Sequence, residues 1–120
     1  MRFRLPAALA ALAVCAVLAP AASADSPSAT ASKSCGVGDS RSYGTTYVLK
    51  ISVRGTSCRS GKRLIRAFHD CRPGKSGRCS RVRRHSCSES RFDRISTQYS
   101  SRVTCRRGDR VVKHTYQQFT

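Results

Sequence analysis

The chain has 120 residues, with 23 Lys and Arg against six Asp and Glu, a formal net charge of +17 and no Trp. That length holds one small domain with a limited core. One Glu and five Asp are a poor source of the paired carboxylates of glycoside cleavage, and neither a Gly-x-Ser-x-Gly elbow nor a Gly-rich phosphate loop is present.

Residues 1–24 have the three parts of a secretory signal. Arg2 and Arg4 open it, an apolar run of about 13 residues extends from Ala7 to Ala19, and Ala22-Ser23-Ala24 supplies the small residues a signal peptidase reads. The run is short of the roughly 20 residues needed to span a bilayer. Cys15 follows Val14, a poor residue before a lipid-modified cysteine, and the apolar run continues past it. The expected product is a secreted, extracellular protein cut after Ala24, with no transmembrane anchor. It would keep 96 residues and a formal charge of +15, because the cut removes only Arg2 and Arg4 from the basic residues. Residues 25–34, Asp25 to Ser34, are rich in Ser, Ala and Thr and read as a flexible leader. Residues 35–120 read as a disulfide-bonded basic domain.

Tyr47, Leu49, Ile51 and Val53 alternate with Val48, Lys50, Ser52 and Arg54, the period of a half-buried strand. Gly55-Thr56-Ser57 ends it, and Thr56 or Ser57 is placed to cap a helix. The helix runs from about Cys58 to His69. Cys58, Gly61, Leu64, Ile65, Phe68 and Cys71 fall on one face, with Arg59, Lys62, Arg63 and Arg66 on the other. Gly61 would let the helix lie close to a sheet, and Asp70 sits four residues after Arg66, at ion-pairing distance on a helix. The apolar face is flanked by Cys and is assigned to the core rather than to a membrane. Arg81 to Cys87 is a short strand of poor alternation. Ile95 to Cys105 alternates clearly, Arg106-Arg107-Gly108-Asp109 turns, and Arg110 to Phe119 alternates again, so the last two strands read as a hairpin. The fold class expected is α+β: one helix packed on a small antiparallel sheet, stapled by disulfides.

Without Cys15, six cysteines remain: Cys35, Cys58, Cys71, Cys79, Cys87 and Cys105. An even count in a short exported chain reads as a disulfide framework. Zinc sites place ligand pairs two to four residues apart. Here the closest cysteines are eight positions apart, and His69, His85 and His114 are scattered. No metal or other cofactor is expected. Cys71 and Cys79 flank a Pro/Gly loop and are expected to pair. For the other four the first choice is Cys58–Cys105 with Cys35–Cys87.

The run from Gly55 to Phe68, with Cys87 and then Cys105-Arg106-Arg107-Gly108 before an aromatic-bearing last strand, resembles a group of small exported cysteine-containing basic proteins of actinobacteria. Their pattern is a strand ending in Gly, Ser-Cys opening a basic helix, and a later Cys before a Cys-Arg-x-Gly hairpin. The resemblance covers roughly Cys35 to Thr120 and implies origin and fold, not activity. Cys71 and Cys79 are additions to the pattern, which supports pairing them with each other.

The chain contains no Asn, and Arg outnumbers Lys. A GC-rich genome accounts for that bias but not for the shortage of acids. The positive field attracts polyanions: anionic polymers, the cell envelope or nucleic acid. The expected contact face is Arg59, Lys62, Arg63 and Arg66, with Arg81, Arg83 and Arg84 beside it. Its function would be that of a secreted, non-enzymatic cationic domain. The alternative is a secreted ribonuclease, with His85 or Glu89 as base, His114 as acid and Lys113 or Arg102 as the phosphate clamp. A third reading is an antimicrobial or inhibitory effector. Arg107-Gly108-Asp109 also matches the adhesion tripeptide read by integrins.

Overall fold

The alternation over 47–54 does build a strand. In the structure, a computed structural model that describes residues 31–120, this strand runs Tyr47–Arg54 and is here β2, with a short β1, Lys33–Cys35, before it. The expected signal segment and most of the expected leader lie outside the described residues. Lys33 and Ser34, at the end of the stretch read as leader, belong to β1 and pair with Val53 and Ser52. Val48, Ile51 and Val53 of β2 are buried, whereas Leu49 and Lys50 are both exposed. The register slips between Val48, opposite Tyr116, and Lys50, opposite Thr115. The extra residue at this bulge moves Val48, not Tyr47 or Leu49, onto the core face.

Helix α1, Cys58–Cys71, begins where the sequence places it and extends two residues further than expected. Ser57 is its cap: the Ser57 side chain accepts from the Ser60 amide at 3.1 Å, satisfying one orphan donor of the first turn. Gly61, Leu64, Ile65 and Phe68 are buried, joined by His69. Gly61 rests directly on the sheet, since a Cβ there would stand 2.6 Å from Val53 Cγ1. The helix leads to β3, Arg81–Val82, at the far edge of the sheet. The chain then returns by hairpins through β4, His85–Ile95, β5, Gln98–Arg107, and β6, Arg110–Phe119. All pairings are antiparallel and the strand order is β1-β2-β6-β5-β4-β3. The fold is therefore α+β, one helix on an antiparallel sheet of six strands. The core lies between α1 and the inner faces of β2, β6 and β5, with Ile51, Val53, Val103, Val112 and Tyr116 under Leu64, Ile65 and Phe68.

Two strand boundaries differ from the sequence reading. Ile95 belongs to β4, and Ser96-Thr97 turns the chain into β5. Strand β4 is also longer than the short Arg81–Cys87 segment expected, because its inner face carries Cys87, Glu89 and Arg91 where an apolar period would normally sit.

Three disulfides form. Cys71–Cys79 closes as expected. The expected Cys58–Cys105 and Cys35–Cys87 bonds do not. Cys35 pairs with Cys58, because β1 lies on β2 and the turn after β2 brings the start of α1 back over that edge. Cys87 pairs with Cys105. These two are register partners on β4 and β5 with Cα atoms 4.1 Å apart, and the Cys87 amide bonds outward to Ser80 O, so they form the close, non-hydrogen-bonded kind of antiparallel pair.

Candidate functional site

The outer side of α1 is cationic, but its members diverge. Arg59, Arg63 and Arg66 are exposed and Lys62 is half-buried. The Arg66 Nε donates to Ser42 O at 3.2 Å and its guanidinium lies 4.8 Å from the centre of the Tyr43 ring. That engagement draws Arg66 toward the segment before β2. The expected Arg66–Asp70 pair does not form.

Arg63 points the other way, toward the end of the sheet where two hairpins turn. There Arg63, Arg83, Arg107 and Arg110 line a cleft of about 220 Å³ together with Thr56, Ser60, Leu64 and His85. Arg83 comes from the β3–β4 turn. Arg107 and Arg110 are register partners flanking the β5–β6 turn. No carboxylate lines the cleft. Among the described residues the one ion pair within 4 Å is Arg91–Glu89, so the four cleft guanidiniums have no acidic partner. The cleft takes one residue from each of the two basic clusters in the sequence. Arg59, Lys62, Arg66, Arg81 and Arg84 do not line it. Arg107 and Arg110 have no link to Arg63 in sequence; only the strand order brings their turn to the start of α1.

The β3–β4 turn carries a second signal. Arg83 and Arg84, between the partners Val82 and His85, both have positive φ, 46° and 62°. Two-residue hairpins with this backbone favour Asn-Gly, and each non-Gly residue held there costs on the order of 1–3 kcal/mol. His85 closes the turn from below, its Nδ1 2.8 Å from Arg83 O.

The residues of the nuclease reading do not converge. His85 is buried beneath the cleft. Glu89 lies four residues further along β4, about 13 Å away at strand rise. Glu89 and His114 share a register row, but Val103 stands between them, which separates their backbones by about 9–10 Å. Both point under the helix and the 72–79 loop, whereas Lys113 and Arg102 occupy register positions on the opposite, open face of the sheet.

Glu89 and His114 belong instead to a buried polar network. Burial pushes the Glu89 carboxyl up, but hydrogen bonds from Tyr116, Arg91 and Ser101 outweigh it and hold its pKa below the usual carboxylate range. Arg91 also donates to Ser76 O and Gly77 O. Buried Arg72 donates to the hydroxyls of Tyr99 and Tyr116 and to Gln118 Oε1, each at 2.9 Å. The network thus pins the loop stapled by Cys71–Cys79 onto β4–β6. His114 meets His69 with their Nε2 atoms 3.0 Å apart. Burial, first, lowers the pKa of His114 to about 3 and that of His69 to about 2. His69 is accordingly a neutral core residue, and His114 is not the imidazolium that a general acid would need at neutral pH.

Among the described residues no group of three or more His, Cys, Asp or Glu gathers as a metal site, and no helix is long and apolar enough to cross a membrane. Arg107-Gly108-Asp109 is exposed at the β5–β6 turn, where Gly108 takes a φ of 57°. Family models, curated proteins and solved structures give no match to this chain. Among the described residues, Arg63, Arg83, Arg107 and Arg110 thus bring four guanidiniums without an acidic partner to a cleft that Thr56, Ser60 and Leu64 also line. Arginine forks match phosphate, sulfate and carboxylate geometry.

Proposed function

We propose that this protein is a secreted, non-enzymatic cationic domain that associates with extracellular anionic polymers, and that the contact centres on the Arg63–Arg83–Arg107–Arg110 cleft. The observation that carries this reading is the convergence of four arginines without acidic partners, from α1 and two hairpins, on one acid-free cleft. The strained β3–β4 turn supports it, since a guanidinium is kept where Asn or Gly would be less costly. Three disulfides suit an oxidising, extracellular setting.

The test uses the oxidised mature protein with fluorescent single-stranded RNA and with heparin, read by anisotropy at low and near-physiological salt. Four phosphate contacts give a slope of log affinity against log salt of about −3 on single strands. The double variant Arg83→Glu/Arg107→Glu should bind at least ~10-fold more weakly, and its slope should fall by about half. Arg59→Glu/Lys62→Glu, away from the cleft, should change affinity less than ~3-fold. Equal losses from both pairs would mean diffuse charge and no site. RNA shortened on a gel from the same samples, and spared in the cleft variant, would replace this reading with the ribonuclease.

A further inference from the structure

Among the described residues no helix packs on the sheet face opposite α1, and the residues of this face are sorted along the strands. Going from one end, the first register row holds Ile95 and Phe119 with Gln98 between them, and the second holds Tyr47 and Phe92 with Gln117 and Ser100 between them. The third holds Lys50 and Arg102, the fourth Lys113, and the fifth Arg54 and Arg106. Leu49, the bulge residue, sits beside Lys50. Seryl and threonyl side chains fill most remaining places: Ser52, Ser88, Ser90, Thr104 and Thr115. No carboxylate occupies a register position on this face. Asp93 lies in the β4 bulge opposite Tyr99, whose side chain is on the inner face.

The three exposed large apolar side chains among the described residues, Ile95 at 63%, Leu49 at 54% and Phe119 at 42% exposure, belong to this face and lie in its half nearer the Ile95–Phe119 row. Isolated exposed apolar residues are ordinary, but a cluster beside a polar field marks an interaction site. We infer that this end of the open sheet docks on anionic phospholipid bilayers, placing Leu49, Ile95 and Phe119 in the acyl boundary and Lys50, Arg102 and Lys113 at the phosphates.

Dimensions and chemistry select lipid over other polyanions. Rows on one face are about 6.8 Å apart, two residues of strand rise. The rows of Ile95 and Phe119 and of Tyr47 and Phe92 therefore reach the depth of about 5–10 Å at which peripheral segments seat their apolar faces, with the Arg41 and Arg102 guanidiniums over the second row and Lys50 in the third. A single-stranded nucleic acid needs free rings on which bases stack. Here Arg102 already lies over Phe92 at 4.3 Å and Arg41 over Tyr47 at 5.1 Å, and the two most exposed apolar side chains, Ile95 and Leu49, are aliphatic. Charge complementarity argues against a second copy of this chain, whose matching face carries the same cations. This docking uses residues outside the arginine cleft and does not depend on it.

The absence of Trp provides the assay: Phe119→Trp installs a single reporter at the apolar end. The oxidised mature variant is mixed with vesicles of phosphatidylglycerol and phosphatidylcholine, and with vesicles of phosphatidylcholine alone. Expected are sedimentation with the anionic vesicles and a blue shift of Trp emission that persists in part at high salt. Leu49→Glu/Ile95→Glu should weaken this at least ~10-fold and leave heparin binding unchanged. Lys50→Gln and Arg102→Gln should each weaken it about fivefold. Circular dichroism and intact disulfides establish that each variant is folded. Vesicle binding with no blue shift, unaltered by Leu49→Glu/Ile95→Glu, would overturn the docking mode in favour of charge alone. Trp quenching by single-stranded RNA but not by vesicles would make the face a nucleic-acid platform. A dimer in sedimentation that Leu49→Glu dissociates would make it a self-association surface. Loss of heparin binding in the Arg83→Glu/Arg107→Glu variant with the blue shift retained would separate the two sites.

Discussion

His69 and His114 meet in the core with no acid hydrogen-bonded to either ring, and both Nδ1 atoms lack partners. One imidazole donates through Nε2 and the other, unprotonated at Nε2, accepts, while burial keeps both rings neutral. Around them stand Arg72, the Glu89 carboxylate and the Tyr116 ring. In the unfolded chain these histidines titrate near 6.5, whereas in the fold burial holds them near 2 and 3. Between those limits the unfolded state takes up protons that the native state refuses, so stability is full above about pH 7 and falls as pH drops. The loss should approach about 1.4 kcal/mol per pH unit for each histidine. Glu89, whose pKa is also lowered, adds its own loss only in more acid solution. Denaturant midpoints between about pH 7.5 and 5 therefore isolate the pair. The wild type should weaken across that range and His114→Gln should weaken less. Parallel curves would mean that the rings are solvated. Gly61 makes a second prediction. An added Cβ meets Val53 Cγ1 at 2.6 Å inside the core, so Gly61→Ala should cost about 1–3 kcal/mol by overpacking despite gaining up to about 1 kcal/mol in helix propensity. Val53→Ala in the same chain should recover part of the loss, a coupling that a thermodynamic cycle measures directly.

The β3–β4 hairpin opposes stability to the proposed binding. Its turn residues Arg83 and Arg84 both have positive φ, and Asn-Gly is the pair that this turn prefers. The double substitution Arg83→Asn/Arg84→Gly should raise stability by about 1–2 kcal/mol. It should also weaken polyanion binding, since Arg83 leaves the cleft. A variant that gains stability without losing affinity would detach the turn from the function. The elements differ in how far they are legible from sequence. Helix α1 is legible because Leu64, Ile65 and Phe68 repeat at helical spacing behind a Ser cap, and β6 because Val112 and Tyr116 alternate with polar residues. Strand β4 is not, because its inner positions are Cys87, Glu89 and Arg91, whose burial is made tolerable by a disulfide, an ion pair and hydroxyl donors rather than by apolar contact. Two disulfides go unread with it: once β4 is not seen, nothing places Cys87 opposite Cys105. The cleft is half legible for the same reason. Arg63 and Arg83 lie in visible basic clusters, but Arg107 and Arg110 reach them only through the strand order.

The whole domain leans on its cross-links to a degree that its size explains. Fewer than 100 residues remain after the expected signal cleavage, and the inner face of the sheet gives part of its area to Glu89, Arg91, Ser101 and His114 instead of apolar side chains. The field of 23 Lys and Arg against six acids adds self-repulsion to the compact state. The three bonds span sequence separations of 23, 8 and 18 residues. Loop-closure entropy assigns about 2.5–3.5 kcal/mol to each. Together they approach the total stability of about 5–15 kcal/mol typical of a folded domain. The bonds also act on different parts. Cys35–Cys58 holds edge strand β1 and the start of α1, Cys87–Cys105 joins β4 to β5, and Cys71–Cys79 closes the loop over the Arg72–Tyr99–Tyr116 network. Full reduction at neutral pH should therefore unfold the domain, seen as loss of near-ultraviolet ellipticity from the buried tyrosines. Cys71→Ser/Cys79→Ser alone should leave a folded protein weakened by about 2–3 kcal/mol, with the loop exchanging amide hydrogens faster than the sheet. If that variant is as stable as the wild type, Arg72 and Arg91 alone hold the loop, and the staple is redundant with the polar network beneath it.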